Sequence, residues 1–254
     1  MRIALVQSRL HWRDPARNRD HLADLIASEP GADLYVLPET FTTGFLGETR
    51  ATDETMAGET VAWLRAQAAS QEAALCGSAV IEDEVGRRNR FLLVDAAGEV
   101  QFYDKRHLFS YAGEDQRYRA GEERVLMQHA GWRIAPQICY DLRFPVWCRV
   151  RNDYDLLIFV ANWPTPRVAA WDALLRARAI ENQCYVVAVN RVGEDGNGVS
   201  YPGHSAVYDP LGEVLVAPWK EEGCRVADLA LERVAQVRSD FPFAAEADAF
   251  EMQR

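Results

Sequence analysis

The chain has 254 residues, 48% of them hydrophobic and 26% charged, and a formal net charge of −10. That length and apolar content suffice for a large buried core and exclude an intrinsically disordered chain. The negative charge argues against a nucleic-acid or anionic-membrane partner, since both need a basic surface, and no apolar run long enough for a membrane span is present.

Strand-like and helix-like stretches alternate along the chain. Arg2–Gln7 reads as a strand rather than a signal peptide. Ala16–Ser28 places Leu22, Leu25 and Ile26 at helical spacing, and Pro30-Gly31 ends the run. Leu34–Leu37 is a short apolar strand stopped by Pro38, and Val61, Ala62, Leu64, Ala68 and Ala69 predict a helix over Glu59–Gln71. Strands are predicted at Ala74–Ile81, Phe91–Asp95, Val100–Tyr103, Val125–His129 and Trp132–Ile138, with Asp95–Gly98 as a hairpin turn. A helix should start near Pro145, a residue suited to a first turn. Leu156–Ala161 and Tyr185–Val189 are apolar throughout, as strands covered on both faces are, and Val168–Asn182 between them is a predicted helix. Ser205–Tyr208 and Val214–Ala217 flank a turn at Asp209–Gly212, followed by a strand at Val226–Leu229 and a helix at Leu231–Val237. No linker or internal repeat divides the sequence. Residues 1–254 are therefore expected to form a single domain with two sheets and outer helices, residues 230–254 being a C-terminal helix and tail.

The cysteines are Cys76, Cys139, Cys148, Cys184 and Cys224, odd in number and widely spaced. That pattern fits reduced thiols in the cytoplasm better than a disulfide framework or a zinc site. The histidines are scattered too, so neither a metal nor another cofactor is expected.

Glu39, Lys105 and Cys139 each follow a strand candidate. In α/β folds reactive groups gather at strand ends, where a rigid sheet holds them at a crevice. Each also has a plainer reading. Cys139 could be one more small buried residue, Glu39 a solvated loop acid, and Lys105 a surface lysine paired to Asp104. Cys139 stands where a strand gives way to a helix start, close to backbone N–H groups that lower a thiol pKa and hold an oxyanion. Glu114, in a charged loop, carries less signal.

Taken together these pieces resemble the nitrilase superfamily of carbon–nitrogen hydrolases. The resemblance runs in order through Ile3–Gln7, Leu37-Pro38-Glu39, Asp104–Phe109, Ile138–Pro145, Ala161–Pro164, Arg176–Asn182 and Gly203–Pro210. It implies an α/β fold of the α-β-β-α sandwich type, with two mixed sheets and outer helices. It further implies a catalytic set of Glu39, Lys105 and Cys139, with Glu114 as a second acid that helps position substrate. The chemistry suits those residue types. A thiolate attacks an amide carbonyl to give a thioester, Glu39 moves the protons, and Lys105 with the Tyr140 N–H forms the oxyanion hole.

Ala161–Pro164 with Arg167, Trp171 and Arg178–Asn182 resembles the ω-amidase branch, which hydrolyses the terminal amide of 2-oxoglutaramate and related dicarboxylic monoamides. The remote carboxylate of such a substrate calls for an arginine fork. Arg143 and Arg167 are the candidates. Arg143 could instead form an ion pair with Asp141 or Glu181. Trp163 is a candidate pocket wall that could equally be core. Alternatives include deaminated-glutathione amidase, nitrilase or N-carbamoyl hydrolase activity, or a catalytically silent binding protein on the same fold. The family also implies a homodimer or larger homo-oligomer. The segment near Phe144, Val146, Trp147, Trp171 and Leu174-Leu175 has enough apolar surface to contribute to such an interface, though core helices look the same. The segment from Phe241 onward could pack across that interface or hang free.

Overall fold

The computed structural model describes residues 1–252, so the final two residues of the expected tail lie outside the described residues. Strand β1 (Arg2–Gln7) leads through Asp14, whose side chain accepts from Arg17 N at 3.1 Å, into helix α1 (Pro15–Ala27). That is a standard helix entry, with an Asp cap and Pro in the first turn. Strand β2 (Leu34–Val36), helix α2 (Glu59–Gln71) and strands β3 (Ala74–Asp83), β4 (Gly86–Val94) and β5 (Val100–Asp104) follow. The short helix α3 (Glu114–Arg117) precedes β6 (Met127–His129), β7 (Trp132–Ile138), the single turn α4 (Pro145–Cys148) and β8 (Leu156–Ala161). Helix α5 (Val168–Asn182), β9 (Tyr185–Asn190), the hairpin β10 (Val192–Glu194) and β11 (Ser200–Pro202), then β12 (Ala206–Tyr208), β13 (Val214–Val216), β14 (Gly223–Asp228) and α6 (Leu231–Asp240) complete the chain.

The strands form two six-stranded mixed sheets, ordered β14-β1-β2-β3-β4-β5 and β13-β12-β9-β8-β7-β6. The β1-β2-β3 and β7-β8-β9 pairs are parallel and the outer pairs antiparallel. Alternation along each strand sorts the core into layers. Ile3 and Leu5 of β1 join Ile134, Ile138, Ile158 and Val187 between the sheets. Ala4 and Val6 face Leu22, Ile26, Val61 and Leu64 of α1 and α2. On the other side Leu157 and Phe159 face Trp171, Leu175 and Ala179 of α5. The result is the α-β-β-α sandwich expected from the sequence.

Some boundaries and placements differ from expectation. Strand β4 begins at Gly86, earlier than Phe91, because Arg87, Arg88 and Arg90 are held by Asp53, Asp83 and Asp104 along the sheet surface. Of the candidate interface residues, Trp147, Trp171 and Leu175 are 5%, 0% and 0% exposed and belong to the core. The tail lies along its own protomer, with the Arg151 guanidinium 5.0 Å from the Phe250 ring centroid. No helix among the described residues is long and apolar enough to cross a membrane.

Candidate active site

The site is assembled from strand ends of both sheets. After β2 the chain turns at Pro38–Thr43 and is stitched to β3: Phe41 N donates to Ser78 O at 3.0 Å and Thr40 N to Ser78 Oγ at 2.9 Å. Gly77 permits this close approach, since a Cβ there would sit 2.8 Å from Leu37 Cβ. The turn presents Glu39, which is 0% exposed, to the space between the sheets.

Lys105 leaves the end of β5 with its N–H on Asn89 O, and its Nζ donates to Glu39 Oε1 at 2.8 Å and to both oxygens of Glu114 at 3.0 Å. Asn89 Nδ2 bridges the same acids, donating to Glu39 Oε1 at 2.8 Å and Glu114 Oε1 at 3.2 Å. Phe109 N donates to Glu114 Oε2 at 2.5 Å. Across the sandwich, Asn162 at the end of β8 donates its N–H to Glu39 Oε2 at 2.7 Å and its Nδ2 to Glu39 O at 2.8 Å.

Cys139 follows β7 with φ +46°, a left-handed conformation that costs an L-residue roughly 1–2 kcal/mol. It opens a short 3₁₀ turn, Cys139–Arg143. The buried Asp141 carboxylate fixes that turn, accepting from Ile138 N at 3.0 Å, Tyr103 OH at 2.9 Å and His107 N at 3.0 Å. Tyr103 and His107 flank Lys105, so this one carboxylate ties the lysine-bearing strand end to the cysteine-bearing one.

Electrostatics assigns protonation states. Burial alone would lower the Lys105 pKa, but the carboxylates of Glu114 and Glu39 outweigh it and hold the ammonium above its ordinary value. Burial raises the Glu114 pKa, with Lys105 opposing and the Glu39 charge adding to the rise. Burial and the Glu39 carboxylate push the Cys139 thiol well above its usual range, against the pull of Lys105. The resting sulfur is therefore a thiol that needs a base to take its proton.

A pocket of about 100 Å³ opens above Cys139, lined by Phe45, Phe109, Tyr140, Arg143, Trp163, Arg167 and Tyr201 among others. The Arg143 guanidinium lies 4.9 Å from the Trp163 ring centroid and that of Arg167 5.1 Å from Phe109. Neither arginine forms an ion pair among the described residues. Arg143 does not pair with Asp141 or Glu181: the former is taken up by the elbow, and the latter pairs with Arg178 at 2.8 Å. Trp163 is pocket wall and core at once, 3% exposed and packed 5.4 Å from Trp171. Among the described residues no cluster of His, Cys, Asp or Glu is placed to hold a metal ion.

Every candidate named from the sequence thus lies in or beside this one cavity. Sequence reasoning missed Asn89 and Asn162. Asn162 stood inside the quoted Ala161–Pro164 stretch, but an amide announces no chemistry until its partner carboxylate is seen.

Comparison with known families matches residues 2–239 to the one described as carbon–nitrogen hydrolase. This chain belongs to the carbon–nitrogen hydrolase family. It is accordingly a hydrolase of carbon–nitrogen bonds on a nitrilase-superfamily fold. Among its relatives, Omega-amidase YafV of Escherichia coli (strain K12) is 46% identical over 253 residues, covering 99% of this chain and 98% of that protein. The 2-oxoglutaramate amidase of Bacillus subtilis (strain 168) is 34% identical, covering 94% and 95%. The crystal structure of a CN-hydrolase superfamily protein from Xanthomonas campestris, with an arsenic adduct in its active site, superposes with a TM-score of 0.97 at 48% identity, covering 100% of this chain and 99% of that one.

Proposed function

We propose that this carbon–nitrogen hydrolase is an ω-amidase, releasing ammonia from the terminal amide of a small dicarboxylic monoamide such as 2-oxoglutaramate. One observation carries the reading: two arginines without carboxylate partners among the described residues line a small pocket whose floor is Cys139, with Glu39 and Lys105 beneath. A substrate that brings its own carboxylate supplies what Arg143 and Arg167 lack. The pocket, at about 100 Å³, is smaller than a typical drug-sized site, which favours a compact substrate.

The chemistry follows from the hydrogen bonds. Glu39 Oε1 accepts from Lys105 and Asn89, both at 2.8 Å, whereas Oε2 accepts one short bond, from Asn162 N at 2.7 Å, and only a long one, from Asn162 Nδ2 at 3.4 Å. Oε2 is thus the less tightly held oxygen and the one that can take the thiol proton in place of its long bond. As that proton moves to Oε2, the Cys139 sulfur bonds to the amide carbon. The carbonyl oxygen becomes an oxyanion held by Lys105 Nζ and the Tyr140 N–H, the latter an unused donor at the start of the turn. Glu39 returns the proton to the departing nitrogen, the C–N bond breaks, and a thioester remains. A water then gives its proton to Glu39 and attacks the thioester, and the leaving sulfur recovers that proton as the acid departs. Glu114 holds Lys105 in place and closes one side of the cluster.

The same reading places the enzyme in the cytoplasm as a homodimer. Its five free cysteines suit a reducing compartment. Val146, 53% exposed on α4, is an apolar residue available to a second copy.

The test is ammonia release from 2-oxoglutaramate, succinamate, a simple neutral amide, a nitrile and an N-carbamoyl acid. The carboxylate-bearing ω-amides should turn over best. Replacing Arg143 or Arg167 by Met should raise KM about tenfold or more for those substrates and leave the neutral amide unaffected. No turnover of any dicarboxylic monoamide would remove the assignment.

A further inference from the structure

Asn162 touches both halves of the reacting pair through its backbone. Its N–H donates to Glu39 Oε2 at 2.7 Å, and its carbonyl oxygen lies 4.0 Å from Cys139 Sγ, as acceptor for the thiol. A loop peptide free to rotate would carry either group out of line. The next peptide is gripped from the far side by Asn190, the last residue of β9. Asn190 Oδ1 accepts from Trp163 N at 2.7 Å, and its Nδ2 donates to Trp163 O at 2.9 Å and to Gly203 O at 2.7 Å. The Trp163 N–H shares one rigid plane with the Asn162 carbonyl, so fixing the first sets the direction of the second. The amide has a single workable orientation, because a flipped one would set its NH₂ against Trp163 N–H and its oxygen against two carbonyls.

Asn190 is itself immobilised. It is 0% exposed, and its backbone N–H donates to Ser205 Oγ at 3.0 Å. Ser205 Oγ donates in turn to Gln7 Oε1 at 2.7 Å. Gln7 ends β1 in the opposite sheet, so the grip is anchored on both sides of the sandwich.

We propose that Asn190 is a positioning residue for the reaction, holding the Asn162–Trp163 peptide so that Glu39 Oε2 and the Cys139 sulfur face each other. The inference rests on the acid–thiol roles assigned above. It adds a distinct claim: proton transfer between them is set by an amide that touches neither.

Asn190→Ala tests it on the full-length enzyme. A misplacement of about 1 Å costs on the order of a hundredfold. The variant should therefore lose about a hundredfold in kcat on an ω-amide, with KM within about threefold of the parent. Alkylation of Cys139 by iodoacetamide should slow with it. Tyr154→Phe is the control. It removes a buried hydrogen bond to Cys148 O that plays no part in holding Asn190 or Trp163, so it should lower Tm but leave kcat within about threefold. Asn190→Ser keeps a hydroxyl that can still bond within the site but is too short to grip the peptide from both sides. It should fall about tenfold, and it decides the matter if the alanine variant does not fold. Parental kcat in a folded Asn190 variant, or an equal kcat loss in Tyr154→Phe, overturns the proposal. Cys139→Ala, assayed alongside, separates the two layers, since an active Cys139→Ala enzyme would sink the thioester reading itself.

Discussion

Lys105→Met removes the one cation from a buried cluster of two acids, and its effect on stability should depend on pH. One ammonium nitrogen holds Glu39 Oε1 at 2.8 Å and Glu114 Oε1 at 3.0 Å, so these oxygens are at most 5.8 Å apart. With the cation gone, two carboxylates at that distance repel by about 3 kcal/mol at an effective dielectric of about 20. That is worth about two pH units in the proton affinity of one of them. Glu114, whose pKa burial already raises in the parent, is the acid more prone to take the proton. The sign follows from linkage. A carboxylate whose pKa is raised by folding lends stability below its unfolded value and forfeits it as pH rises through the folded value. The Tm deficit of Lys105→Met should therefore be greatest above neutral pH and shrink on acidification. At about 2–4 °C per kcal/mol for a chain of this size, the deficit at pH 8 should be about 6–12 °C. Thermal melts of parent and variant at pH 5, 6.5 and 8 measure it directly. A deficit that is the same at all three would refute the reasoning, because the acids would then not be coupled through this lysine. Turnover should fall at every pH by about 10²–10³, the loss typical of an oxyanion donor.

Other perturbations act on single parts of the cluster. Cys139→Ala should abolish ammonia release while the fold persists, and Cys139→Gly should melt higher than Cys139→Ala, because only glycine occupies φ +46° without strain; thermal melts of the two check this. Glu114→Gln leaves one of its donors without an acceptor, about 1–3 kcal/mol. Its kcat on an ω-amide should fall about a hundredfold as Lys105 shifts, read by steady-state kinetics with Tm alongside. Glu39→Gln should block both acylation and thioester hydrolysis, and rapid-quench accumulation of thioester at the parental rate would limit Glu39 to the second step.

The sandwich was legible because its signals are local. Apolar strands at Leu156–Ala161 and Tyr185–Val189 and the helical spacing of Leu22, Leu25 and Ile26 need no partner to be recognised. Strand β4 hid behind Arg87, Arg88 and Arg90, which look like loop until their partner aspartates arrive from elsewhere in the chain. The hairpin of β10 and β11, with only three residues a side, offers too little pattern to read. Glu39, Lys105 and Cys139 stood out as reactive types at strand ends. Asn89, Asn162 and Asn190 did not, because their meaning lies in contacts with segments far along the chain. Trp147 and Trp171 stayed ambiguous: a large aromatic on a helix reads the same whether it faces a neighbour or its own sheet.

The acid and the lysine belong to one sheet, and the sulfur and Asn162 to the other. The greasy layer of Ile3, Leu5, Ile134 and Ile158 between them therefore acts as a spacer gauge for the reaction as well as glue for the fold. Sliding one sheet over the other by about 1 Å would leave every strand paired yet cost on the order of a hundredfold in rate.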